Sequence, residues 1–167
     1  MKNILIIGGT KGIGKSIVDN LVDDNNITCL SRNKLDFQHQ NFVHKEFDAL
    51  SDEYPEMDSL DCLIYCPGSI NLKPISTLTL EDFRNDFEIN VIGAVKAIKK
   101  YLPLLKKSLS ASILLFSTVA TKLGMPYHAS VSVAKSGVDG LVKTLGSELA
   151  PKVRINAIAP TITNTDL

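Results

Sequence analysis

The chain has 167 residues, enough for one domain with a sizeable core, and 44% of them are hydrophobic, which argues against disorder. Lys+Arg and Asp+Glu number 18 each, so no net field draws the chain to nucleic acid or to an anionic membrane. The cysteines, Cys29, Cys62 and Cys66, lack the spacing of a zinc site and read as reduced thiols of a cytoplasmic protein with no metal, and no apolar run is long enough for a membrane span.

In chain order, the strand-like runs are NILIIG (3–8), ITCLS (27–31), FVHKEF (42–47), DCLIYC (61–66), SILLFS (112–117) and RINAIA (154–159). Several are continuously apolar, as parallel strands covered on both faces must be. Between them, residues 12–23 carry Ile13, Ile17, Val18, Leu21 and Val22 on one helical stripe. A long helix is predicted over 80–107, opened by a cap at Thr79 with Asp82 three residues on, and ended or kinked at Pro103. Its lysines, Lys96, Lys99, Lys100, Lys106 and Lys107, read as a solvated face. Another helix is predicted over 128–150, stopped by Pro151. Residues 33–60 are weakly patterned, so any helices there are short. Strand and helix alternation predicts right-handed crossovers and an α/β fold of three α/β/α layers. The six strands should form a doubly wound parallel sheet, the Rossmann fold, in the order 3-2-1-4-5-6 with its ligand crevice at the strands' carboxyl ends.

The turn IIGGTKGIGKSI follows the first strand and opens the first helix. Gly8, Gly12 and Gly14 allow a tight turn, close approach of backbone to a pyrophosphate, and close helix–strand contact. Free N–H groups at the helix start, near Ile13, then favour an anion, and Thr10 offers a hydroxyl. Glycine triplets are common; the strand before and helix after give this one its weight. A tight turn without ligand is the plain alternative. At the end of the second strand, CLSRN places Ser31 and Arg32 where an acid would hold a ribose 2′-OH, with Lys11 in reach from the glycine-rich turn. Two cations and a hydroxyl favour NADP(H) over NAD(H), while solvated loop positions remain the alternative for both cations.

These motifs resemble the short-chain dehydrogenase/reductase family, whose fingerprint is T-G-x-x-x-G-x-G, with Ile7 here in place of the threonine. The resemblance covers nearly the whole of residues 1–167, read as a single dinucleotide-binding domain. It implies that Asp48 in FDAL meets adenine and that Gly68 in YCPG lies beside the cofactor. It also makes Asn90 in FEINVIG an active-site residue and Thr165 in PTITNTDL a cofactor contact. It implies hydride transfer between nicotinamide and a small carbonyl or alcohol substrate. A tyrosine hydroxyl would handle the proton, a lysine one turn later would hold the nicotinamide ribose, and a serine would orient the substrate oxygen.

Lys135 matches the lysine, but Val131 stands where the tyrosine belongs. Thirteen residues earlier is Thr118, with Ser117 beside it as a substitute; hydrogen bonding at a strand end is the alternative for both. Tyr127 precedes Lys135 by about two helical turns, ~12 Å, and fits poorly. His128 shares a helix face with Val131 and Lys135 if the helix has begun there, and an imidazole can act as an acid near neutral pH. Packing, capping or substrate contact are the alternatives for His128. Ser130 and Ser132 point to other faces. A water held by Asn90, Thr118 and Lys135 is another candidate donor. The leading expectation is therefore an NADP(H)-dependent oxidoreductase with an atypical proton donor. The others are an NADP(H)-binding or sensor protein without turnover, or a structural subunit of an oligomer. The resemblance implies a homodimer or homotetramer through helices 80–107 and 128–150. It also implies further chain beyond Leu167, normally a substrate-binding loop, helices and a seventh strand. An unpaired sixth strand likewise calls for more chain or a covering partner.

Overall fold

Ile4, Leu5, Ile6 and Ile7 of the first strand, β1 (Asn3–Ile7), are all buried, so this strand has neighbours on both edges and layers on both faces. The computed structural model describes residues 1–165. After β1 come α1 (Gly12–Leu21), β2 (Asn26–Ser31), β3 (Phe42–Glu46), β4 (Cys62–Tyr65), α2 (Leu80–Phe87) and α3 (Gly93–Leu105). The chain then forms β5 (Ala111–Phe116), α4 (Ala120–Leu123), α5 (Ala129–Leu149) and β6 (Val153–Ile158). All strand pairs are parallel and the order is β3-β2-β1-β4-β5-β6, the predicted doubly wound sheet. Alternating side chains of β1 divide the core. Ile4 and Ile6 pack with Val18 and Val22 around α1, while Leu5 and Ile7 share the opposite face with Ala97, Ile98 and Tyr101 of α3 and Val138 of α5.

The long helix is not uniform. Thr79 and Asp82 form a reciprocal capping box at its start: the Asp82 amide donates to Thr79 Oγ1 (3.0 Å), and the Thr79 amide donates to Asp82 Oδ2 (2.9 Å). After α2 the backbone widens into a π turn, Glu88–Ile92, before α3 resumes at Gly93. Tyr65 at the end of β4 donates its hydroxyl to the Ile89 carbonyl inside that turn (2.8 Å). A Cβ on Gly93 would lie 2.0 Å from the same hydroxyl, so the tyrosine reaches the backbone only because residue 93 is glycine. Pro103 sits in the last turn of α3, which ends two residues later.

The short helices allowed for in 33–60 do not form there. Phe47 to Asp61 crosses as a loop whose anchors are aromatic. Tyr54 donates to the Ala49 and Gly93 carbonyls (3.3 Å each), and Tyr101 donates to the Pro55 carbonyl (2.8 Å). These bonds satisfy backbone groups that a helix would otherwise pair. At the other end of the sheet, among the described residues, β6 pairs with β5 alone.

Candidate functional site

β1 delivers the chain to Gly8, whose φ of +78° turns it away from the sheet, and Gly12 at φ +51° starts α1. Both angles are costly for any residue with a Cβ. Gly14 matters for space instead: a Cβ there would lie 2.2 Å from the Gly8 carbonyl oxygen. Lys11 caps α1 with no side-chain hydrogen bond, and the first turn carries no acidic residue. The positive end of the helix is therefore left for an external anion. Thr165 returns over this turn, its Cβ 3.3 Å from where a Cβ on Gly12 would stand.

A cavity of about 510 Å³ opens here and continues along the carboxyl ends of the strands. Gly8, Thr10, Lys11, Ile13, Gly14 and Thr165 line its glycine-rich end, with Gly12 just off the lining beneath Thr165. Ser31, Arg32 and Asp48 line the side toward β2 and β3. Ser31 is 7% exposed, donates to the Asn33 carbonyl (2.9 Å) and lies 2.8 Å from His44 Nε2, so its hydroxyl is already engaged. Asp48 accepts the Leu50 amide (2.8 Å) and shapes the loop after β3. Arg32 and Lys11 are exposed, and among the described residues neither forms an ion pair.

The inner end is built by β4, the π turn, β5 and α5. Lys135 projects from α5 and donates to the Phe116 carbonyl (2.8 Å). Burial pulls its pKa down to about 8, against smaller opposing pulls from Cys66 and Asp86. Beside it, burial pushes the Cys66 thiol up to about 12, so Cys66 is an unreactive wall. Gly68 leaves room for two polar groups: a Cβ there would lie 3.0 Å from Asn90 Oδ1 and 3.4 Å from Lys135 Nζ. Asn90 is held inside the π turn by donating Nδ2 to the Asp86 carbonyl (2.8 Å), while its buried Oδ1 has no partner. It stands just behind the lining rather than on it.

Thr118 lines the cavity, but its Oγ1 accepts the Ala120 amide (3.3 Å) at the start of α4. Ser117 is 3% exposed, also lines the cavity, and its Oγ has no partner. The neighbour is thus the freer of the two hydroxyls.

His128 stands at the edge of α5 rather than inside it. Tyr127 has φ +66°, and α5 begins only at Ala129. His128 is the cap residue (φ −101°, ψ 17°), with Nδ1 2.7 Å from the Pro126 carbonyl oxygen. It reaches the cavity rim, where it also lines a second pocket with Lys73, Ile75, Met125 and Tyr127. Val131 is 4% exposed and lines the cavity one turn before Lys135. Tyr54, Tyr65 and Tyr101 spend their hydroxyls on backbone carbonyls elsewhere, and no tyrosine is among the described residues of the main lining.

Sequence reasoning passed over Ser69 and Asp86. Ser69 follows Gly68 and lines the cavity; its Oγ donates to Asp86 Oδ1 and accepts Asn90 Nδ2 (3.2 Å). Asp86 lies one helical turn before Asn90 and is fully buried. That spacing was the available signal.

A parallel doubly wound sheet with a glycine-rich turn, an uncapped helix start and a cavity across the strand ends defines a dinucleotide-binding protein. The chain belongs to the short-chain dehydrogenase/reductase family of oxidoreductases: a family model described as Enoyl-(Acyl carrier protein) reductase matches residues 9–167. A tropinone reductase homolog of Arabidopsis thaliana is 30% identical, the match covering 99% of this chain and 70% of that protein. The 3-oxoacyl-(acyl-carrier-protein) reductase of Buchnera aphidicola is 26% identical, with 99% and 75% covered. The structure of ElxO with NADP bound superposes with a TM-score of 0.89 at 26% identity, covering 99% of this chain and 76% of that one. The family's nicotinamide dinucleotide suits the residues present. The cradle at Gly8 and Gly12 tolerates no Cβ without strain, and the unpartnered Ser117 Oγ and Asn90 Oδ1 mark the inner end as polar.

Proposed function

We propose that the chain is an NADP(H)-dependent oxidoreductase acting on a small carbonyl or alcohol, with a proton donor other than tyrosine. The observation that carries this reading is one cavity joining the glycine-rich turn to Lys135, Ser117 and Gly68 across the sheet ends. Bound there, the nicotinamide would supply or accept the hydride. Lys135 would hold ribose hydroxyls, Ser117 and Thr118 would orient the substrate oxygen, and Asn90 would fix a water through its free Oδ1. Lys11 and Arg32 would meet a 2′-phosphate, and no acid replaces them at the end of β2. Thr10 and the start of α1 would hold the pyrophosphate, and Asp48 would border the adenine. The reading includes a single domain over the whole chain and a homodimer or homotetramer through α2–α3 and α5, where Phe87 (41%) and Val133 (57%) are exposed. Light scattering of the purified protein tests the oligomer.

A second reading, nucleotide binding without turnover, is favoured by Val131, an apolar side chain buried where the family's acid would stand. One experiment separates the two. NADPH and NADH affinity and NADPH oxidation with a panel of carbonyls are measured on wild type, His128→Ala and Val131→Tyr. The oxidoreductase reading expects tighter NADPH than NADH binding and turnover by wild type. Tight binding, no wild-type turnover and activity gained by Val131→Tyr would establish the second reading. Turnover unchanged in His128→Ala removes His128 as an essential acid.

A further inference from the structure

Asp86 is a fully buried carboxyl with no charged partner among the described residues. It is 0% exposed on the last turn of α2, and the helix is held there through its backbone carbonyl, which accepts Asn90 Nδ2. Its side chain faces the loop after β4 instead. Oδ1 accepts Ser69 Oγ and Asn71 Nδ2 (2.9 Å), and Oδ2 has no partner. No described cation lies within ion-pair distance. Lys135 from α5 is the charge that faces it, close enough for the two to affect each other. The other charged groups nearby are paired: Lys73 of the loop with Asp82 (2.9 Å), and Arg84 of α2 with Glu81 (3.4 Å). Asp139 of α5 accepts from Thr121 (3.0 Å). Burying a carboxyl without a cation is costly. Ser69 supplies the link. Its hydroxyl sits on the cavity wall one residue after Gly68, with the carboxyl directly behind it.

We propose that Ser69 and Asp86 form the proton route of this site, in place of a hydroxyl at position 131. This rests on the oxidoreductase reading above. In alcohol oxidation the substrate hydroxyl loses its proton to Ser69 Oγ while the Ser69 proton passes to Asp86 Oδ1, along the hydrogen bond already present. The substrate carbon loses a hydride to oxidised nicotinamide, so an alcohol becomes a carbonyl, the cofactor is reduced, and one proton rests on Asp86. That proton returns through Ser69 to cavity water after product leaves. Reduction runs the same steps backward, Asp86 to Ser69 to the developing alkoxide. Ser69 is the catalytic residue, and Asp86 acts through it. Asn90 Nδ2, donating to Ser69 Oγ, leaves the hydroxyl proton free to point to Asp86 or into the cavity.

The test measures kcat for NADPH-dependent carbonyl reduction for Ser69→Ala, Asp86→Asn and the double variant. Each is made in the wild-type and in the Val131→Tyr background, with NADPH binding followed by fluorescence. The expected result is a loss of about 100-fold or more in kcat for each single variant, the size of a lost general acid. The double variant should be no worse, and NADPH affinity should hold within about threefold. In the Val131→Tyr background, where a phenol gives the proton another source, the losses should shrink to less than about fivefold. Equal losses in both backgrounds mean a packing role and overturn the proton route. Wild-type turnover that Ser69→Ala leaves intact overturns the route alone. Should Asp86→Asn fail to bind NADPH, the Ser69→Ala comparison between backgrounds decides. NADPH binding by wild type without turnover, whether or not Val131→Tyr is active, overturns the oxidoreductase reading and the route with it.

Discussion

Lys135 places a charge where water is scarce, and that has a measurable consequence for stability. Burial pulls its pKa from 10.5 to about 8, whereas in the unfolded chain it returns to the ordinary lysine value. Below both values the lysine is protonated in either state, and the folded state bears the whole cost of the buried ammonium. At 1.36 kcal/mol per pKa unit this is about 3 kcal/mol near pH 7. As pH rises past 8 the folded lysine loses its proton before the unfolded one does, so the cost falls. Linkage gives a relief of about 2 kcal/mol between about pH 7 and about pH 9.5. Lys135→Met removes the titrating group but keeps most of its volume. Urea unfolding of both proteins without nucleotide, at several pH values across that window, isolates the effect, because other titrating groups are common to the two. The wild type should gain on the variant by about 2 kcal/mol as pH rises. A difference that stays constant with pH, or moves the other way, refutes the claim that Lys135 is desolvated.

Gly14→Ala would drive a Cβ against the Gly8 carbonyl, 2.2 Å away, and push the glycine-rich turn off α1. Overpacking of this kind costs about 1–3 kcal/mol, and a thermal melt should show the loss together with weakened NADPH binding. Thr79→Ala removes both hydrogen bonds of the Thr79 hydroxyl and should cost about 1 kcal/mol in urea unfolding, with nucleotide affinity unchanged. Arg32→Ala should weaken NADPH binding about tenfold or more while leaving NADH binding within about twofold, as loss of one charge-assisted bond predicts. Equal losses for both nucleotides would place Arg32 away from the 2′-phosphate.

The sheet was legible because several of its strands are apolar runs, and Asn3–Ile7 or Ala111–Phe116 admit few other readings. The glycine-rich turn was legible because backbone geometry restricts those positions to one residue type. The π turn was not legible: the Tyr65 hydroxyl that bonds inside it arrives from β4, and helical periodicity over 80–107 contains no trace of it. His128 looked helical by spacing, yet Tyr127 at φ +66° delays the helix by one residue, and the imidazole turns back to the Pro126 carbonyl. Spacing in the sequence favoured Thr118 over Ser117; only the start of α4, which engages the threonine, leaves the serine as the freer hydroxyl. Ser69 and Asp86 were invisible for a similar reason. A serine after Pro-Gly reads as a turn, an aspartate on a polar helix reads as a solvated face, and only the tertiary fold puts one on top of the other.

Val131 bears on more than the absence of a phenol. Its apolar side chain, 4% exposed, lies one turn before Lys135 on the same helix face, where it would help withhold water from the ammonium. If Lys135 holds the nicotinamide ribose as an ammonium, NADPH affinity should fall as pH rises through about 8, where the lysine loses its charge. Each lost charge-assisted bond is worth about 1.5–3 kcal/mol, so the affinity should drop by about tenfold or more by about pH 10. Val131→Thr adds a hydroxyl without changing the shape, solvates the ammonium better, and should move the midpoint of that fall upward. Isothermal titration of NADPH across the range measures both curves, with Lys135→Met as the reference that should be flat through the same window. A wild-type curve as flat as that of Lys135→Met would show that the charge on Lys135 does not hold the nucleotide. A midpoint that Val131→Thr leaves in place would show that the desolvation comes from Phe116 and Cys66 rather than from position 131.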